Sequence, residues 1–272
     1  MITSIITSFF ISQSPVKVAV IDTGYSKNDI YNASLCDTGH KDFTEDQQYV
    51  DGVPVDLMGH GTHVAGLIHQ YAENVYLEDS DSFQSQYKKI NKLKQKDSSY
   101  CLIIVKAFSS KSDKIQSYMD AIRYVNGLKD VRIVNISAGG DSFLLEEKEI
   151  IKNMLDNNKV IIAAAGNSGH NIDIIQYYPA SLDSRVIVVG NSNSENLKET
   201  ENKNFTKKQF DTMFARNKTS NYGSQVDVFV KGENMLSISN IQNRLAYMTG
   251  TSQATAVFTG IILNHIKNRK GR

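Results

Sequence analysis

The feature that most constrains the fold is an alternation of short apolar runs with helical patterns along most of the chain. The first run, residues 16–21, is short, β-branched and continuous rather than alternating, which is typical of a parallel strand buried on both faces. The apolar runs occupy residues 16–21, 102–108, 131–136, 160–165, 186–189 and 226–230. Between them, segments such as 115–125 and 144–155 carry apolar residues at helical spacing. This order predicts an α/β fold, a single doubly wound domain with a mostly parallel central sheet flanked by helices.

The composition narrows the range of partners. The chain has 272 residues with a formal net charge of +1 and carries no basic stripe, so we expect no nucleic-acid partner. No apolar run approaches the length that crosses a bilayer, so we also expect no membrane span. Two polar segments, residues 80–99 and 193–221, are interpreted as surface excursions.

The first fourteen residues are apolar and end in small serines. They are interpreted as a short signal peptide or as an N-terminal arm, although no lysine or arginine stands near the start. The division of the chain is therefore 1–14 and 15–272, with no pro-segment expected between them. A secreted or extracytoplasmic location is favoured, with a cytoplasmic one as the alternative.

Three polar residues stand where predicted elements meet. Asp22 ends the first strand, where open α/β sheets place their sites. His60 lies in GHGTHVAG between glycines that allow a close approach. Ser252 lies in GTSQATA at the start of a helical pattern, where free N–H groups favour negative charge beside a hydroxyl nucleophile.

Each of these residues also has a simpler interpretation. Ser252 would be a helix N-cap, since serine is among the commonest caps, and a strand-ending aspartate often caps a turn. His60 and His63 would be two ligands of a metal site, with Asp56 or His40 completing it.

Four motifs together resolve these alternatives. AVIDTG, GHGTHVAG, AAAGNSG and GTSQATA follow one another in an order that resembles the subtilisin family of serine peptidases. Weaker matches are NISAGG, YPA and SNYGSQVDVFVKG, and the likeness spans residues 16 to 268. Gln253 and Ala256 replace the methionine and proline usual in that family, at positions that support the helix rather than react.

The resemblance implies a serine endopeptidase that hydrolyses peptide bonds through an Asp-His-Ser triad and an acyl-enzyme intermediate. Ser252 would attack the carbonyl, His60 would transfer the proton, and Asp22 would orient the imidazole. Asn167 would donate a hydrogen bond to the oxyanion. The substrate-binding positions that it implies are Ser137, Ala138, Gly139, Gly166 and Tyr177.

Two features are specific to this chain. The resemblance places Tyr177 at the base of the pocket for P1, the residue before the scissile bond, where broad-specificity members carry a small residue. An inward ring predicts a preference for small or short P1 residues over Phe and Tyr, whereas an outward ring would leave Gln176 lining a roomier pocket. In the resemblance Cys36 and Cys101 lie on neighbouring segments, which favours a disulfide over two small buried side chains.

The remaining expectations concern cofactors and partners. No cofactor is expected; calcium stays open but unsupported, because the lysine-rich residues 80–99 occupy the region of the family's calcium loop. We expect a polypeptide substrate and a monomer. The alternatives are a dedicated processing peptidase for one partner protein and a peptide-binding pseudoenzyme.

Overall fold

The structure is a computed structural model that describes residues 15–78, 81–95, 99–111, 115–194, 198–199 and 206–270. The signal peptide or arm expected at residues 1–14 lies outside the described residues. In chain order the elements are β1 (Val16–Asp22), β2 (Lys41–Asp42), β3 (Tyr49–Val50), β4 (Val53–Pro54), α1 (His60–Ala72), α2 (Phe83–Leu93), β5 (Tyr100–Lys106), α3 (Ile115–Gly127), β6 (Val131–Ile136), α4 (Leu145–Asp156), β7 (Val160–Ala164), β8 (Ile187–Ser192), β9 (Lys198–Glu199), α5 (Lys207–Met213), β10 (Val228–Lys231), β11 (Met235–Ile238), β12 (Leu245–Met248) and α6 (Thr251–Lys270).

A mostly parallel sheet forms the centre of the molecule. In the part of the chain that the structure describes it has eight strands in the order β2-β5-β1-β6-β7-β8-β10-β9. Among the strand pairs of this sheet in the described residues, only that of β9 with β10 is antiparallel. The predicted fold class, a mostly parallel central sheet flanked by helices, is confirmed.

Helices cover both faces of the sheet, which explains why its strands read as unbroken apolar runs. In β1, Val18 and Val20 pack into a core with α1 and α6. The alternate residues Ala19 and Ile21 pack into a second core with α3, α4 and α5. Because successive side chains of a strand point to opposite faces, both sets must be apolar.

The two polar segments are more structured than expected. Residues 80–99 contain α2, whose Leu93 is buried, and residues 193–221 contain α5, whose Phe210 is buried. Most described residues of both segments are exposed or half-buried, as expected for surface excursions, but the helices within them were not predicted. A few apolar anchors at helical spacing are enough to dock a mostly polar helix on a core.

The antiparallel hairpin of β11 and β12 was not predicted from the sequence. It lies over α1, where the Ser237 hydroxyl donates to the carbonyl of His63 at 2.9 Å and Gln70 Nε2 donates to the carbonyl of Leu236 at 3.0 Å.

The two cysteines form a disulfide, as expected. Cys101 lies in β5 and Cys36 lies beside that strand, with their Cα atoms 4.9 Å apart. Among the described helices, none is both long and apolar enough to cross a membrane.

Candidate active site

The site lies where the central strands end. Asp22 is the last residue of β1, and its side chain is 2% exposed. Its Oδ1 accepts from the backbone N–H of Thr23 at 2.8 Å and from Nδ1 of His60 at 2.7 Å. A proton on Nδ1 leaves Nε2 as the ring nitrogen with a free lone pair, which is the arrangement that a general base needs.

A second buried carboxylate fixes the helix that begins at His60. Asp56 accepts from the backbone N–H groups of Gly59 and Thr62, each at 2.8 Å. It also accepts from the hydroxyls of Thr62 at 2.7 Å and Thr23 at 2.9 Å. A negative charge among free N–H groups is favourable at a helix N-terminus. Asp56 therefore accepts hydrogen bonds from N–H groups at the N-terminus of α1, a role that its place just before a helical pattern could have shown.

The charges around His60 set its protonation. Burial alone lowers the pKa of the imidazole, but the charge and hydrogen bond of Asp22, helped by the charge of Asp56, outweigh it. The net result is a pKa above the usual value for histidine. The imidazolium is therefore stabilised in this environment, as a group that must accept a proton requires.

Ser252 lies on α6, beside the end of β6, the strand next to β1. It is the second residue of α6, so it lies inside the helix rather than at the N-cap position. Its Oγ donates to the carbonyl of Ser137 at 2.8 Å, and the Ser137 hydroxyl donates to the carbonyl of Ser252 at 3.2 Å. Because Ile21 pairs with Ile136, Asp22 and Ser137 follow side by side on adjacent strands.

Asn167 is oriented by the first residue of the same helix. Its Oδ1 accepts from the backbone N–H of Thr251 at 2.9 Å and from the Thr251 hydroxyl at 3.2 Å. The amide nitrogen Nδ2 therefore remains for another acceptor beside the N-terminus of α6. A carbonyl oxygen that gains negative charge there would find both a side-chain donor and the backbone donors of the helix.

Asn221 holds the loop that carries Asn167, a role that sequence analysis did not assign. Its Nδ2 donates to the carbonyl of Ala165 at 2.8 Å. Its Oδ1 accepts from the N–H groups of Ser168 at 3.1 Å and His170 at 2.9 Å. The SNYG motif contained this residue, but its likeness to the family gave no hint of the contact.

The ring of Tyr177 lies between two glycines. A methyl group placed on Gly139 would come within 2.5 Å of its Cε1, and one placed on Gly166 within 3.0 Å of its Cζ. Both glycines therefore contact the ring without room for a side chain. Tyr177 is half-buried, and burial raises the pKa of its hydroxyl, whereas Gln176 is exposed.

The loop that carries Tyr177 is held in place by its neighbour. Tyr178 exchanges two backbone hydrogen bonds with Gly140, at 2.7 and 3.0 Å, which fix the loop against the segment that follows β6.

The histidines considered as metal ligands with His60 have other partners. His63 Nε2 donates to the carbonyls of Met235 at 2.9 Å and Ala246 at 3.0 Å, and burial lowers its pKa to about 4. His40 Nε2 donates to the carbonyl of Cys36, while its Nδ1 accepts from the N–H of Ile104. Across the residues that the structure describes, no three His, Cys, Asp or Glu side chains are grouped to hold a metal ion.

Comparison with known proteins agrees with this geometry. A family model described as the subtilase family matches residues 13–270. The chain is 29% identical over 254 residues to the major intracellular serine protease of Bacillus subtilis, covering 91% of this chain and 67% of that protein. It is 31% identical over 240 residues to the cell wall-associated protease of the same organism, covering 88% and 22%.

A solved structure gives the same fold. A cold-adapted subtilisin-like serine proteinase superposes with a TM-score of 0.63 at 21% identity, covering 95% of this chain and 77% of the other. The chain spans two thirds of the length of the intracellular relative, half of a thermophilic serine proteinase from Bacillus sp. strain AK1, and about a fifth of the cell wall-associated one.

Proposed function

Because the chain belongs to the subtilase family, we propose that it is a serine endopeptidase whose triad is Asp22, His60 and Ser252. The observation that carries the proposal is the 2.7 Å bond from His60 Nδ1 to the buried Asp22 carboxylate. This bond lies at the end of β1, next to the end of β6, where the carbonyl of Ser137 holds the Ser252 hydroxyl. An oriented base at one strand end and a hydroxyl held at the next, near a helix N-terminus, are the parts that acyl transfer needs.

The reaction would begin with a rotation of the Ser252 hydroxyl away from the Ser137 carbonyl and toward His60 Nε2. As Oγ bonds to the scissile carbonyl carbon, its proton passes to Nε2, and Asp22 stabilises the imidazolium that results. Hydrogen bonds from Asn167 Nδ2 and the N–H of Ser252 stabilise the oxyanion. Collapse transfers the proton from His60 to the leaving amine and leaves an acyl-enzyme. Water, activated by the same histidine, then releases the acid and restores the serine.

A fluorophosphonate probe tests this assignment. It should react with Ser252 in the native protein, with Ser252→Ala unlabelled and His60→Ala labelled far more slowly. Ser110→Ala, a change at an exposed serine outside the site, is the matched control and should label normally. A folded protein that resists the probe would support the pseudoenzyme instead.

Substrate choice would be set in part by Tyr177. With its ring between Gly139 and Gly166, it occupies the slot in which the P1 side chain would lie. We therefore expect small or short P1 residues to be preferred over Phe and Tyr. Ser137, Ala138 and Gly139 would pair with the substrate backbone at the end of β6.

We also propose an extracytoplasmic location. The relatives include one protease named as intracellular and one named as cell wall-associated. The disulfide between Cys36 and Cys101 favours the second setting, because such bonds persist in oxidising compartments. Alkylation of the unreduced protein taken directly from its cells tests this: free thiols at both cysteines would favour the cytoplasm.

A further inference from the structure

A cleft of about 550 Å³ adjoins His60 and carries a buried carboxylate in its lining. Its walls are largely apolar, with Met58, Phe108, Ile115 and Tyr178 among them. The carboxylate belongs to Glu147, whose side chain stands in the first turn of α4 and is 3% exposed. No step of the proposed reaction uses this carboxylate.

Within the described residues, Glu147 differs from its neighbour Glu146 in having no cationic partner. Its Oε1 accepts from the hydroxyl of Tyr118 at 2.7 Å. The adjacent Glu146 is exposed and paired with Arg123 at 2.6 Å, while no lysine, arginine or histidine of the described chain forms an ion pair with Glu147. Burial raises the pKa of Glu147, which reflects the cost of keeping its charge in this place. A cation entering the cleft would remove that cost.

The position of the cleft identifies which substrate residue would enter it. A peptide extended along residues 137–139 would send its P1 side chain toward the slot between Gly139 and Gly166. Side chains of a strand alternate, so P2 and P4 lie on the other face, about 7 Å apart. His60 and Glu147 come from helices on opposite faces of the sheet, α1 and α4, and the cleft extends between them. P2 beside His60 therefore leaves P4 to approach Glu147.

Resting on the proposed endopeptidase function, we propose that the cleft selects polypeptides with lysine or arginine at P4, bound by the Glu147 carboxylate. The apolar walls suit the methylene stem of such a side chain, and the carboxylate suits its charged end. The hydrogen bond from Tyr118 holds Oε1 in place, so the acceptor is already oriented before substrate arrives. An apolar P4 residue would fill the walls but leave the buried charge without a partner.

The test compares peptides that differ only at P4, with alanine at P1 and arginine, norleucine or glutamate at P4. Norleucine keeps the apolar stem and lacks the charge. We expect kcat/KM for the arginine peptide to exceed that for norleucine by about 10- to 100-fold, the range of a hydrogen bond to a charged group, with glutamate the poorest. Equal cutting of arginine and norleucine would overturn the proposal, and this comparison needs only the native protein.

Two variants assign the effect to Glu147. Glu147→Gln retains an acceptor for Tyr118 and removes the charge, so it should lose the arginine preference and cut the norleucine peptide at least as well as the native protein does. Glu146→Gln, at the exposed neighbour, should keep that preference. A protein that labels with fluorophosphonate and cuts without regard to charge would refute this inference alone. One that neither labels nor cuts would refute the endopeptidase function and the inference with it.

Discussion

Replacing Tyr177 by glycine should open the P1 slot. In the structure the ring contacts both glycines that form the walls of this slot, so a large P1 side chain would have to displace it. The variant removes the ring and should leave the walls in place, because the backbone on each side of the slot is held by other contacts. Gly140 pairs with Tyr178 through two backbone bonds, and the carbonyl of Gly166 accepts from the N–H of Asn221 at 2.9 Å.

The size of the effect follows from the surface that the ring covers. An aromatic side chain buries about 150 Å² or more, worth roughly 4 kcal/mol at about 25 cal/mol per Å². Tyr177 is only half-buried, and an incoming ring loses freedom on binding, so about half of that value should appear. Two kcal/mol corresponds to about a 30-fold change in the ratio of kcat/KM for Phe over Ala at P1.

The measurement uses matched peptides with alanine or phenylalanine at P1 and an identical remainder. The native protein should prefer alanine, and Tyr177→Gly should shift the ratio toward phenylalanine by about 30-fold. Gln176→Gly, a change at the exposed neighbour, is the control and should leave the ratio unaltered. A native protein that cuts after phenylalanine as well as after alanine would refute the reasoning, whatever the variant does.

Other predictions concern the triad and the disulfide. Ser252→Ala and His60→Ala should each reduce kcat by about 10⁶, the magnitude known for subtilisin rather than one worked out from this structure, and the double variant should add little. Additive losses in kcat would contradict the assignment, and Asp22→Ala should be milder than either. Asp22→Asn removes the charge that raises the pKa of His60, so the neutral base should persist to lower pH and the acid limb of residual kcat/KM should move down. Replacing Cys36 and Cys101 by alanine opens a covalent loop with a sequence separation of 65. The free energy of unfolding, measured by urea titration, should fall by about 4 kcal/mol because the unfolded chain gains conformational entropy. A loss under about 1 kcal/mol would show that the unfolded chain is constrained even without the bond.

The sequence predicted those elements whose signal is repeated along the chain. Strand β6 was placed at its observed bounds, because residues 131–136 are rich in Val and Ile and follow two charged residues. The hairpin of β11 and β12 escaped notice because its stability comes from packing on α1, a partner distant in the chain. Helix α2 was missed because its polar residues outnumber the few that dock it. Local pattern shows what a segment can form, and contacts between distant segments decide the rest.

The site likewise combines residues that motifs predicted with contacts that only the folded chain supplies, and these contacts connect the rate of turnover with substrate specificity. Motifs predicted Asp22, His60 and Asn167 as single residues, but the supporting contacts of Asp56 and Asn221 come from the folded chain. Asn221 binds both ends of the loop at 165–170, which carries Asn167 and also Gly166, one wall of the slot that Tyr177 fills. A shift of this loop would therefore move the oxyanion donor and the P1 slot together. For that reason a change in substrate size and a change in turnover cannot be separated at this loop. The cleft at Glu147 also shares His60, Gly139 and Tyr177 with the site, but Glu147 itself stands on α4, outside the loop, so its charge can be changed without altering the loop.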